Sequence, residues 1–400
     1  MSKYLIAGKR IDKTSESFQD VLKSIYDQKD RPLCLCREGQ GVKMYVSRIN
    51  SDFYIIKRMP NTGQEHALDC ESFEPPEGLS GLGEVNGQAI KEDPESGNTM
   101  LKFDFSLSKG ARRAPPTGGG EEKDSVKSDG KKLTLRGTLH YLWEEAGFNK
   151  WSPAMEGKRN WGVIRRYVLN AAVNKLAKGE ALGNLIYMPE VFNVDQKDQI
   201  RERREKLLRA MATNKEQRGL MILIAEVKEF KEAGFGYQMT VKHVPDRQFV
   251  IESDLGKRLV KRFRNELDAW PGLSGTKLLT IATFSVSQNV VAKIEEISLV
   301  TVNENWLPYD NGAEKALLDK LIEEKRRFTK MMRYNLPSTR PIATAVLQDR
   351  GEAADLTALY VVPLNAEPTY YDALKRVIEE SGIQVWQWDE NSEASPPALP

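Results

Sequence analysis

Cysteine and histidine are both scarce in this chain, with three of each in 400 residues. Cysteines so few and odd in number exclude a disulfide-stapled scaffold of the small secreted kind. An excess of one charge is also lacking. Lysine and arginine total 59 against 57 aspartates and glutamates, a formal net charge of +2. That balance excludes a wholesale polyanion coat protein and confines any nucleic-acid contact to local patches. No apolar run approaches the roughly 20 residues that cross a bilayer, and the longest, over 220–227, is strand-sized. The opening Met1-Ser2-Lys3-Tyr4-Leu5-Ile6-Ala7-Gly8 has no extended apolar segment of the signal-peptide kind. The expected location is therefore the cytoplasm, with no membrane partner. Walker A, G-x-S-x-G and H-E-x-x-H patterns are missing too. Gly118-Gly119-Gly120 has no following Lys-Ser/Thr and so is no phosphate loop.

What is present is a cluster. All three cysteines fall within residues 34–70, beside one of the three histidines. Cys34-Leu35-Cys36 sets two thiols close together at a turn or strand end. His66-Ala67-Leu68-Asp69-Cys70 sets an imidazole and a thiol at i and i+4, one face of a helical turn. The competing reading is three buried cysteines and a solvated histidine. Because every cysteine falls at a ligand position, one Zn²⁺ held by Cys34, Cys36, His66 and Cys70 is expected. Four protein donors leave no open position, so the ion is expected to be structural.

The pattern of apolar residues divides the chain. A strand over 4–11, a helix burying Phe18, Val21, Leu22, Ile25 and Tyr26, a hairpin of 42–47 with 53–57, and a strand over 100–107 form a zinc-binding α+β domain, residues 1–107. Residues 108–132 carry Pro115-Pro116, three consecutive glycines and many charges, the composition of a disordered linker. A helical region over 133–215 follows, with helices at 133–146, 161–176 and 198–211 and an edge strand at 185–188, a winged-helix-like set. Residues 216–389 read as one mixed α/β domain. Its strands are expected at 220–227, 237–244, 278–286, 294–302, 342–347, 358–362 and 385–388, and its helices at 255–269, 313–330 and 370–381. The polar, proline-rich 390–400 reads as a disordered tail. The fold class is thus multidomain α+β.

Three stretches combine basic and aromatic residues, as nucleic-acid surfaces do. Lys43, Arg48, Lys57 and Arg58 interleave with Tyr45, Phe53 and Tyr54. Lys158, Arg159, Arg165 and Arg166 follow Trp143, Phe148 and Trp151. Lys257, Arg258, Lys261, Arg262 and Arg264 lie opposite an apolar face of Leu255, Leu259, Phe263 and Leu267. Ordinary solvated faces give the same patterns. One catalytic half-motif stands out: Glu226-Val227-Lys228 ends an apolar strand, like the E-x-K of a Mg²⁺-dependent nuclease. Such a site needs a further carboxylate, with Asp195, Asp198, Asp246 and Glu252 as candidates. The hairpin after residue 342 and the helix behind it have the outline of a restriction-endonuclease-like core. Its acid positions hold Ala343, Ala345, Leu359 and Val361, so that core would be degenerate. His140 and His243 are isolated and read as structural.

Cys34-Leu35-Cys36, Met59-Pro60-Asn61-Thr62-Gly63 with His66 and Cys70, and His140-Tyr141-Leu142-Trp143-Glu144-Glu145-Ala146-Gly147-Phe148 carry a family resemblance, joined by Gly157-Lys158-Arg159, Glu304-Asn305-Trp306 and Arg333-Tyr334-Asn335. Together they resemble bacterial domain-of-unknown-function family 1173, noted for three N-terminal cysteines and carried on integrative and conjugative elements and plasmids. That resemblance implies mobile-element biology and supplies no activity. The C-x-C and H-x-x-x-C arrangement is also similar to the N-terminal zinc module of CoiA-like competence proteins, which join it to a nuclease domain. The expectation is a non-catalytic, zinc-containing protein that binds nucleic acid, DNA rather than RNA, or a DNA-processing partner. The alternatives are a Mg²⁺-dependent nuclease using Glu226 and Lys228, and a structural adaptor with no nucleic-acid contact.

Overall fold

A computed structural model describes residues 3–28, 30–37, 39, 41–108, 130–213, 219–234, 236–349 and 356–400. They form a mixed α+β protein built on four sheets. The first sheet is antiparallel, in the order Lys9–Asp12, Lys3–Ile6, Leu33–Cys34, Val42–Asn50, Phe53–Arg58. The strand expected over 4–11 is instead a hairpin. Ala7 and Gly8 both take positive φ, 47° and 76°, and turn the chain between its two arms. The helix Phe18–Gln28 lies on the sheet through Phe18, Leu22 and Ile25, as its spacing predicts.

The second sheet runs Glu180–Ala181, Lys175–Ala177, Asn98–Leu101, Ile90–Asp93. Asn98–Leu101 lies parallel to Lys175–Ala177, so segments from both sides of the expected linker share one sheet. They share one core as well, in which Val85, Leu101 and Phe103 pack with Leu133, Trp143 and Ile164. The boundary expected at 108–132 therefore does not divide the core. Residues 109–129 lie outside the described residues. Just beyond them, Leu133 donates to Lys102 O (2.7 Å) and Asp104 donates to Leu133 O (3.0 Å).

The third sheet closes on itself. Met221–Ala233 pairs with Gly236–Val241, which pairs with Phe249–Glu252, which pairs in parallel with Ala292–Val302. That strand pairs with Lys277–Val286, which returns to Met221–Ala233. In chain order the ring reads first, second, third, fifth, fourth, first. Between the third and fourth strands lie the helices Ser253–Arg262 and Arg264–Gly272. Leu223, Ala225, Val241, Ile251, Ala282 and Ile294 fill the barrel. Ile222, Ile224, Leu279 and Ile281 face outward, onto the core that holds Trp143. The helix Leu135–Glu145 is buried against that outer wall along eight consecutive or near-consecutive positions from Leu135 to Trp143. Ile186–Tyr187 extends the barrel sheet, parallel to Met221–Ala233. The region 133–215 is thus no separate winged-helix-like unit. Its first helix is enclosed all round, and its edge strand belongs to the barrel.

The fourth sheet has the order Gln384–Asp389, Thr357–Val362, Ala345–Leu347, Phe328–Lys330, Lys150–Trp151. One face packs Ala345, Leu347, Leu359 and Val361 on the helix Gly312–Glu323. The other packs Val346, Ala358, Tyr360 and Val362 on the helix Pro368–Ser381. Residues 216–389 therefore hold two bodies, a barrel and a helix-flanked sheet, where one domain was expected. Residues 390–400 are packed rather than free. Trp386 Nε1 donates to Ala398 O and Trp388 Nε1 to Glu393 O, both at 2.9 Å, and Leu399 packs on the sheet's core.

Candidate metal centre

Each half of the Cys/His cluster is set by local backbone. Cys34 ends the short strand Leu33–Cys34, held between Tyr4 on one side and Val42 on the other. Cys36 follows two residues later, outside the strand. The other half is not the expected helical turn. Gly63–Glu65 is a 3₁₀ turn, His66 leaves it with extended backbone (ψ 158°), and Cys70 N closes a tight turn on Ala67 O (2.9 Å). Gly63 is required there, since a Cβ on it would lie 2.7 Å from that of Glu74.

These turns bring the side chains together. Cys34 Sγ lies 3.8 Å from Cys70 Sγ, Cys36 Sγ 3.4 Å from His66 Nδ1, and Cys70 Sγ 3.7 Å from His66 Nδ1. All four donor atoms lie within 4.8 Å of one another, and they are the one such grouping of three or more Cys, His, Asp or Glu among the described residues. A tetrahedral ion with M–S of about 2.3 Å and M–N of about 2.0–2.1 Å has edges of roughly 3.8 Å (S···S) and 3.6 Å (S···N). The residues therefore lie close enough to hold a metal ion. His66 is fully buried, with Nδ1 turned to the thiols and Nε2 without a hydrogen-bond partner. Hydrogen bonding with Cys34 and His66 holds the Cys70 thiol down, at about 4. The bond to Cys70 and burial push Cys34 well above the usual thiol range.

The cluster sits where the first sheet meets the rest of the molecule. Cys34, Cys36 and Cys70 border the core under the first sheet. Cys70 also touches a second core, in which Leu68, Phe73 and Leu79 from the same loop pack against Val346, Ala358 and Tyr360. Two cations that the sequence does not mark as structural fasten this loop. Arg37 Nη2 donates to Gln64 O and His66 O, and Lys150 Nζ donates to Glu71 O and Phe73 O. No spacing rule points to either.

Several cations expected at a nucleic-acid surface are engaged inside the protein. Lys57 pairs with Glu145 at 3.2 Å, and Arg58 pairs with Glu74. Arg159 donates to Phe148 O and Asn305 O and lies over the Phe148 and Trp151 rings. Tyr45 and Tyr54 are buried and Phe53 is exposed. Lys43, Arg48, Lys158 and Arg166 are exposed, as are Lys257, Arg258, Lys261, Arg262 and Arg264. Arg165 lies half-buried beside Met188.

Glu226 faces outward from the barrel, 5% exposed, and accepts an ion pair from Lys242 at 2.6 Å. Lys228 is exposed at the register shift that follows. No grouping of three metal-capable side chains forms around Glu226 among the described residues. His140 is enclosed and accepts from Tyr334 N (2.9 Å), and burial pushes it down to about 3, consistent with a structural role.

The sequence model of one protein family, described as "Protein of unknown function (DUF1173)", matches residues 4–391. No curated protein and no solved structure matches the chain. No helix among the described residues is long and apolar enough to cross a membrane.

Proposed function

The chain belongs to the DUF1173 family, and from its own residues we propose a non-catalytic nucleic-acid-binding protein whose first sheet is fastened to its body by one structural zinc ion. The donor set supports zinc. Three thiols and an imidazole suit a borderline-soft ion and not Mg²⁺ or Ca²⁺, which take oxygen donors. With four protein donors in a buried cluster, no position is open to a substrate.

The nucleic-acid half rests chiefly on the barrel. Five strands closed in the order first, second, third, fifth, fourth, with helices between the third and fourth, match the connectivity of the barrels that bind oligonucleotides and oligosaccharides. A fold alone does not give a function, and the site has to be found on this chain separately. The choice of DNA, and a setting on a mobile element, come from the family resemblance alone. Glu226, neutralised by Lys242, gives the nuclease alternative little support.

Two measurements test the proposal. Metal analysis of the purified protein should give about one zinc per chain. A labelled single strand should bind with an affinity that falls linearly in log–log with salt. Absence of salt-sensitive binding would leave the adaptor, and Mg²⁺-dependent cleavage lost in Glu226→Ala would leave the nuclease.

A further inference from the structure

Away from the metal, a cavity of about 180 Å³ opens between the helix Trp161–Ala172, the helix Lys197–Thr213 and the loop after Val241. Arg165, Arg203, Arg204 and His243 line it, with one carboxylate, Glu190. Arg203 is matched by that carboxylate through two bonds, 3.1 and 2.6 Å. The others keep donors in hand. Arg165 spends Nε on Met188 O (3.1 Å), and among the described residues no hydrogen bond engages its two terminal nitrogens. Arg204, its side chain 6% exposed, gives Nη2 to Asp246, while its buried Nε has no partner. His243 sits in the left-handed region (φ 70°). Its Nδ1 accepts from Phe192 N (3.2 Å), which leaves a proton on Nε2. Burial holds the ring's affinity for a second proton down, so it serves as a neutral donor. Leu169, Ile186 and Val244 give the cavity an apolar floor.

We propose that this cavity is a phosphate-ester site, Arg165 and His243 donating to the phosphoryl oxygens beside the Arg204 charge, and the apolar floor taking the attached nucleoside. Resting on the nucleic-acid reading above, it then seats one phosphate of a bound single strand. Arginine suits phosphate because its planar fork of donors matches the oxygens. Arg165, Arg204 and His243 come from two helices and a barrel loop, so the fold has to be complete before the site exists.

The test uses the full-length protein with two probes, fluorescein-labelled dT12 and thymidine monophosphate. Arg165→Gln should weaken dT12 binding about tenfold and flatten its log–log salt slope by about 0.7, the share of one phosphate on a single strand. His243→Asn, which tolerates the left-handed backbone, should weaken binding without changing that slope. Lys375→Gln, on the exposed face of the helix Pro368–Ser381, should change neither. Equal melting temperatures across the variants and wild type would show that the fold is intact. Unchanged dT12 binding in both groove variants would overturn the site and leave the nucleic-acid reading standing. A wild type that ignores dT12 but is stabilised by thymidine monophosphate, an effect lost in Arg165→Gln, would uphold the site and overturn the strand. Failure of both probes removes both. An octa-aspartate peptide that competes as well as the nucleotide would overturn phosphate as the ligand class.

Discussion

Replacing Cys70 with Ser should release both the ion and the first sheet. The sulfur of Cys70 stands 3.8 Å from that of Cys34 and 3.7 Å from His66 Nδ1, so it is central to the donor set. A structural zinc site contributes about 10–16 kcal/mol of binding free energy near neutral pH. One donor in four is then worth roughly 2.5–4 kcal/mol, about 10²–10³ in affinity. The protein around it has little to spare. The core under the first sheet holds ten buried residues, too few to stand alone without a cross-link. Its other ties to the body are mainly polar, such as Ser47 Oγ to Gly97 O and Arg58 to Glu74. Competition with a chromophoric chelator should show the affinity loss. Hydrogen exchange should show Val42–Asn50 losing protection while the barrel strand Lys277–Val286 keeps it. A variant that retains zinc at wild-type affinity, or that keeps wild-type protection over Val42–Asn50, would refute the assignment of Cys70 and the stapling role with it.

Glu145→Ala should cost about 3–5 kcal/mol in urea unfolding, because it strands Lys175 without its carboxylate; Lys175 has a fully buried side chain that pairs with Glu145 at 2.5 Å. A loss under 1 kcal/mol would mean that the pair is not what holds Lys175. Burial raises the Glu144 carboxyl to about 7. Its folded form thus binds a proton more tightly than the unfolded chain does. The stability linked to it is full below the ordinary glutamate range and is lost as pH climbs through about 7. Glu144→Gln, still able to accept from Tyr334 OH, should therefore flatten the fall in melting temperature between pH 5 and 8; an unchanged slope would assign that fall elsewhere. Truncation after Asp389 should free Trp386 Nε1 and Trp388 Nε1 from their acceptors. Tryptophan emission should shift to the red, and an unshifted spectrum would show that the last residues do not cover them.

The sequence makes the metal cluster legible because cysteine is scarce, so three in 37 positions beside a histidine stand out. The hairpin between the two halves is legible too, since two strand-like runs flank the turn residues Asn50-Ser51-Asp52. What lies hidden is settled by tertiary packing. The helix expected over 313–330 stops at Glu323, and Lys325 turns left-handed (φ 55°). Phe328–Lys330 then forms a strand with all three residues buried, a pattern too short to separate from a helix end. The helix expected over 255–269 breaks at Phe263, whose ring is buried in the barrel core. The tail looks unstructured by composition, yet two indole N–H groups and Lys320 find acceptors in it. The closed ring and the arginine cavity depend on strands and helices far apart in sequence, where local periodicity carries no signal. Lys57, Arg58 and Arg159 look like surface cations until Glu145, Glu74 and Phe148 are placed beside them.

The strand Lys150–Trp151 takes the edge place in a sheet whose other members all come from residues beyond 327. On the ribosome it therefore waits for a partner about 180 residues downstream, roughly 9–35 s of elongation at 5–20 residues per second. The apolar side chains of Leu68 and Phe73 wait longer still, for Ala358 and Tyr360. Throughout that interval the four donors are already synthesised. Zinc capture soon after Cys70 leaves the exit tunnel would keep three thiols from oxidation and hold the nascent first sheet in register until its cover arrives. Metal supply during translation, rather than after it, would then set the yield of folded chains.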